Sequence, residues 1–129
     1  MNRERHEQRF FICRHCGNLV GLVRNAGVPM ICCGEPMEEL VPNANGAAEK
    51  HLPVVKQEGN RVTVTVGGAH HPMMKEHSIE WIYLETDRGG QRKALYPDET
   101  PEAVFLLEDD EAIAAFAYCN LHGLWKTEL

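Results

Sequence analysis

Arg61-Val62-Thr63-Val64-Thr65-Val66 alternates without a break, with three valines on one side and Arg61, Thr63 and Thr65 on the other. Successive side chains of a strand point to opposite faces, so this stretch reads as a strand with one face in an apolar core and one toward water. Outward from it, Ser78-Ile79-Glu80-Trp81-Ile82-Tyr83-Leu84 reads as a second strand. Asp87-Arg88-Gly89-Gly90 then turns the chain into a third, Lys93-Ala94-Leu95-Tyr96, and Ala103-Val104-Phe105-Leu106-Leu107 makes a fourth. Short strands at this spacing, with no helix alternating between them, predict an all-β fold built on an antiparallel sandwich. Glu111-Ala112-Ile113-Ala114-Ala115-Phe116-Ala117-Tyr118 pulls two ways. Its residues favour helix, yet alternation would put Ile113, Ala115, Ala117 and Cys119 on one strand face, and the sandwich context favours strand.

Upstream, Val41-Pro42-Asn43-Ala44-Asn45-Gly46-Ala47-Ala48 is small, polar and rich in turn formers, which is the composition of a linker. The expected organisation is a module over 1–40, a linker over 41–48 and the sandwich domain over 49–129. The module holds Phe11-Ile12-Cys13-Arg14-His15-Cys16-Gly17 and Met30-Ile31-Cys32-Cys33-Gly34, with Gly17-Asn18-Leu19-Val20-Gly21-Leu22-Val23 as a strand between them. Its first nine or so residues read as a frayed extension. A segment of about 40 residues buries too little surface to fold alone, so a metal or a partner chain must supply the missing stability.

The chain has 129 residues and a net charge of -6, with no apolar run as long as a membrane helix and a charged N-terminus, Met1-Asn2-Arg3-Glu4-Arg5. Such a charge argues against nucleic acid as a general partner, and these features together predict a cytoplasmic protein without a membrane partner. Five cysteines are an odd number, which disfavours a complete disulfide framework and favours metal ligation in a reducing compartment. Cys13-x-x-Cys16 with the adjacent pair Cys32-Cys33 supplies four soft sulfur donors, a set that selects iron or zinc in a tetrahedron. Four thiolates leave no vacant position, so this centre can store an electron or brace the fold but cannot bind a substrate.

The fifth cysteine has no cysteine partner and lies in Tyr118-Cys119-Asn120-Leu121-His122-Gly123, where a thiol and an imidazole precede a glycine that permits a tight turn. His51, His71 and His77 punctuate the strand-rich region before it. His71 and His77 are six apart, which does not suit one face of a helix, and Pro72 favours a loop able to aim both rings at one point. Any one of these histidines alone is more often a surface or structural residue than a ligand.

A C-x-x-C knuckle followed by Cys-Cys resembles desulforedoxin, a small homodimeric iron protein. With the histidine and cysteine motifs that follow, nearly the whole chain resembles desulfoferrodoxin, the two-iron form of superoxide reductase. The resemblance implies a desulforedoxin-like module followed by an immunoglobulin-like sandwich, and homodimerisation partly through the cysteine modules. It also implies two mononuclear iron ions. Cys13, Cys16, Cys32 and Cys33 hold one, where zinc is the rival occupant; His51, His71, His77 and His122 hold the other with Cys119 as axial thiolate. In Glu49-Lys50-His51, Lys50 is implied to attract superoxide, and Glu49 to occupy the open iron position in the oxidised resting state. Four neutral nitrogens and one thiolate leave a sixth position open and ferrous iron with a single positive charge, which draws a small anion despite the acidic chain. The implied activity is one-electron reduction of superoxide to hydrogen peroxide without release of oxygen, with rubredoxin or a similar small protein as electron donor. The rival readings are a non-catalytic electron carrier and a structural zinc protein.

Overall fold

The structure, a computed structural model, describes residues 7–44, 48–67 and 71–129. Its chain divides into two compact units, Met1–Val41 and Pro42–Leu129.

In the first unit, β1 (Arg9–Ile12) lies between β2 (Leu19–Leu22) and β5 (Glu38–Glu39), antiparallel to both. The strand begins within the stretch expected to fray, and the Arg9 guanidinium makes two bonds of 2.7 and 2.6 Å to the Glu39 carboxylate. A two-residue hairpin joins β3 (Ile31–Cys32) to β4 (Glu35–Pro36). Its central residues Cys33 and Gly34 have φ of 54° and 79°, the left-handed pair that a type I′ turn needs. Glycine takes that conformation freely, whereas at Cys33 it is uncommon. Among the described residues, Phe10, Ile12, Cys13 and Leu40 are the buried apolar ones of this unit.

The second unit is a sandwich of two antiparallel sheets. One has the order β10-β7-β6, from β6 (Pro53–Glu58), β7 (Arg61–Val66) and β10 (Glu102–Leu106). The other runs β12-β11-β8-β9, from β8 (Ile79–Thr86), β9 (Gly89–Ala94), β11 (Ala112–Cys119) and β12 (Gly123–Glu128). Val62, Val64 and Val66 meet Ile79, Ile82, Leu84, Phe105, Ala115, Ala117 and Cys119 in one core between the sheets. Apart from one helical turn, α1 (Ala48–His51), the described residues form strands and loops. The fold is therefore all-β, and the strand reading of 111–118 holds.

Three local readings need correction. Ile113 is not part of the buried core; the register of β11 against β8 shifts between Ala112 and Ala114, so Ala112 packs against the core instead. The turn after β8 is the pair Asp87-Arg88, and β9 already starts at Gly89 and ends at Ala94. Gly90 belongs in that strand because a Cβ there would come within 2.2 Å of Tyr83 Oη. Finally, β6 and β12 are strands that the pattern reading passed over.

Candidate metal centres

Five side chains from three chain segments converge at one end of the sandwich. α1 ends at His51 immediately before β6, and the loop ahead of β8 carries His71 and His77. At the far end of β11, Cys119 pairs with Gly123 across a three-residue turn that holds His122. Gly123, at φ 85°, takes the left-handed conformation that closes such a turn. A second shift in the β8–β11 register sets Cys119 opposite Ile79, leaving Glu80 unmatched just beyond the histidine loop. Bulges at such places re-aim the side chains that follow.

The possible ligand atoms of His51, His71, His77, Cys119 and His122 all lie within 4.8 Å of one another. His51 Nε2 is 3.1 Å from His122 Nδ1, and Cys119 Sγ is 3.7 Å from the same nitrogen. The rings of His51, His71, His77 and His122 are arranged edge to face, with centroids of neighbouring rings 4.8 to 5.0 Å apart. The Trp125 indole stacks on His51 at 4.8 Å and 12°, so the imidazole plane is fixed from behind. His71 Nδ1 bonds the carbonyl of Pro72 at 2.7 Å, which makes Nδ1 the protonated nitrogen and leaves Nε2 as an acceptor.

The decisive detail is that Nε2 of His71 and Nε2 of His77 are buried without a hydrogen-bond partner. A buried polar atom left unpaired costs free energy, on the order of 1–3 kcal/mol, and two of them facing neighbouring imidazoles fit lone pairs awaiting a cation. Electrostatics agree. Burial, helped by the charges of His51, His77 and His122, holds His71 down at about 4, so the ring is neutral near pH 7. His77 is lowered by burial first, then by His122 and Lys50. Burial raises the Cys119 thiol, opposed by the backbone N–H groups of Leu121 and His122. Without a cation that sulfur keeps its proton, and a bound metal would displace it.

Lys50 is exposed on α1, and its charge reaches His77. Glu49 stands on the same turn, but its side chain lies outside the described residues, as does His70 beside His71. The pattern reading gave no sign of Trp125; its position in an edge strand two residues beyond Gly123 was the available clue.

The second group is Cys13, Cys16, Cys32 and Cys33, whose sulfurs also lie within 4.8 Å of one another in the first unit. Cys16 Sγ is 3.6 Å from Cys32 Sγ and accepts the backbone N–H of Asn18 at 3.5 Å. Backbone N–H groups, that of Cys16 foremost, draw the Cys13 thiol down to about 6. Hydrogen bonding to Cys13 leads the effects that push the Cys33 thiol up to about 12. A cluster that ionises one thiol at the expense of the next needs a cation before all four become thiolates. All five cysteines are free thiols, so no disulfide competes for these sulfurs. The two donor sets fit two iron centres, one with four sulfurs and one with four nitrogens and a sulfur.

Known proteins resemble this chain along most of its length. The family model described as "Desulfoferrodoxin" matches residues 43–128, and that of its N-terminal domain matches residues 5–40. A desulfoferrodoxin from Nitratidesulfovibrio vulgaris is 43% identical, covering 95% of this chain and 98% of its own. The crystal structure of the superoxide reductase from Treponema pallidum superposes with a TM-score of 0.80 at 37% identity, over 95% of this chain and 98% of that one. A one-iron superoxide reductase from Giardia intestinalis matches at 33% identity and a TM-score of 0.52, over 63% of this chain and 99% of its own.

Proposed function

Since this chain belongs to the desulfoferrodoxin family, we propose that it is a superoxide reductase, consuming one superoxide, one electron and two protons for each hydrogen peroxide formed. The observation that carries the reading is the pair of unpartnered Nε2 atoms on His71 and His77, beside His51, His122 and Cys119. Iron in this donor set supplies one-electron transfer to a small anion, and donation from the thiolate makes the ferrous ion the better reductant. Everything else falls to the side chains. His51, His71, His77 and His122 present neutral nitrogens, and Cys119 supplies the one negative charge. Lys50 places an ammonium at the approach, where it draws an anion toward the site against the net charge of -6. Glu49, next to it in sequence, would supply a carboxylate to the oxidised centre.

The electron comes from a rubredoxin-type protein. Cys16 and Cys33 are exposed at the four-sulfur centre, so a donor has close access to it, while direct reduction of the five-donor centre is the other route. The chain works in the cytoplasm as a homodimer joined partly through its first units. Among the described residues no helix is long and apolar enough to cross a membrane.

Product stoichiometry tests the activity. With a reductant present, one peroxide per superoxide and no oxygen is the expected yield. Half as much peroxide together with oxygen would mean dismutation. Azide or cyanide should change the ferric spectrum of the five-donor centre, and an unchanged spectrum would leave a mere electron carrier. Lys50→Ala is expected to slow superoxide consumption at low salt on the order of 10-fold and to flatten its ionic-strength dependence. An unchanged low-salt rate removes Lys50 from the mechanism.

A further inference from the structure

Asn120 lies between two of the ligands, Cys119 and His122, yet its own side chain reaches away from them to the other ligand loop. Its Oδ1 accepts the backbone N–H of Ser78 at 3.0 Å, and its Nδ2 donates to the carbonyl of Glu76 at 2.9 Å. Glu76 and Ser78 are the two neighbours of His77. One amide thus brackets His77 from both sides, and the backbone N–H of Asn120 adds a bond of 3.2 Å to the carbonyl of Ser78.

This bracket sits where regular structure stops. The β8–β11 ladder ends at the pair Ile79 and Cys119, so ladder bonds no longer tie the two segments at His77. Within its loop, the backbone of His77 exchanges bonds of 2.9 and 3.1 Å with Met74, which closes the loop on itself but does not join it to the Cys119–His122 hairpin. Met73 anchors the loop at its other end, accepting the Ile79 N–H on its sulfur at 3.3 Å. The amide of Asn120 uses both a donor and an acceptor, and an ionised aspartate, which only accepts, cannot reproduce that at both partners.

We infer that Asn120 is a positioning residue of the five-donor centre, fixing His77 relative to Cys119 by holding the backbone on both sides of that histidine. This rests on reading His51, His71, His77, Cys119 and His122 as ligands of one ion. Groups that orient ligands commonly change metal affinity 10- to 100-fold when removed, because the ligand must then be ordered at the moment of binding.

The test uses the full chain and divalent cobalt, whose visible bands distinguish the sulfur-only site from the mixed one. Asn120→Ala keeps the backbone bond to Ser78 and loses both side-chain bonds. It should weaken cobalt at the five-donor site on the order of 10- to 100-fold and leave the four-cysteine site unchanged. Asn120→Asp retains the acceptor for Ser78 but turns an oxygen toward the Glu76 carbonyl, and should fall between Ala and the parent chain. In a His77→Ala background the same Asn120→Ala change should alter cobalt affinity less than about threefold, since its target is gone. An unchanged affinity in the single variant overturns the inference. So does an equal loss in the His77→Ala background, or a loss shared by both sites. If the parent chain itself shows no mixed-donor cobalt band, the reading of the five ligands fails instead.

Discussion

Cys119→Ser is expected to lower superoxide reduction at least about 100-fold, equivalent to about 2.7 kcal/mol in the barrier, and to erase the visible thiolate-to-iron band of the five-donor centre. The substitution changes one atom in a place where little else can change. Cys119 is fully buried, paired with Gly123 at the base of the hairpin and with Ile79 across the sheet, and serine is close to it in size. The fold should therefore survive. What goes is the negative charge. Burial already raises the cysteine thiol, and a hydroxyl, intrinsically far harder to ionise, would stay neutral in the same surroundings. With four neutral imidazoles and a neutral alcohol, the oxidised ion is less well stabilised, so the ferrous state holds its electron more tightly. Bands of the four-cysteine centre should remain as an internal reference. Activity within about threefold of the parent chain would show that the Cys119 sulfur does not drive the reaction.

Legibility in the sequence followed the number of neighbours a segment has to satisfy. β7 is flanked on both sides and buries one face, so its valines alternate and the strand reads off directly. β11 is also central, and the demand of β8 and β12 for ladder partners overrode the helix preference of its alanines. Its bulge at Ile113 left no mark, because an extra residue in a run of small apolar side chains changes no pattern. The edge strands β6 and β12 were harder. β6 opens with Pro53 and continues into Lys56, Gln57 and Glu58, and β12 mixes Trp125 with Lys126 and Thr127. An edge strand has one partner and more contact with water, so polar residues blur its period. The five-donor site had no period at all. Its residues lie in loops and at strand ends, and His51 and His122 are 71 positions apart. Their grouping came from the family resemblance, while the hold of Trp125 on His51 and of Asn120 on His77 needed coordinates, since both depend on which strand ends are neighbours.

Removing metal from the whole chain should affect the two units unequally, unfolding the first and leaving the second folded. Among the described residues of the first unit, Phe10, Ile12, Cys13 and Leu40 are the buried apolar ones, and β3, β4 and β5 are two residues long each. The ion pairs Arg9–Glu39 and Arg14–Glu38 lie at the surface, where such pairs contribute about 0–1 kcal/mol. A core that small does not offset the entropy of ordering about 35 residues. Binding of a metal by four thiolates is worth on the order of 10 kcal/mol near neutral pH, enough to decide the balance. The second unit has its own core between two sheets, with Val62, Ile82, Leu84, Phe105 and Ala117 fully enclosed, and needs the ion only to order its ligand loops. After exhaustive chelation, amide exchange should therefore become fast at β1 and β2 while β7, β8 and β11 stay protected. Cys16→Ser should reproduce the loss in the first unit with iron still present at the five-donor centre. Protection of β1 that persists without metal would show that the unit draws its stability from something other than the sulfur-bound ion.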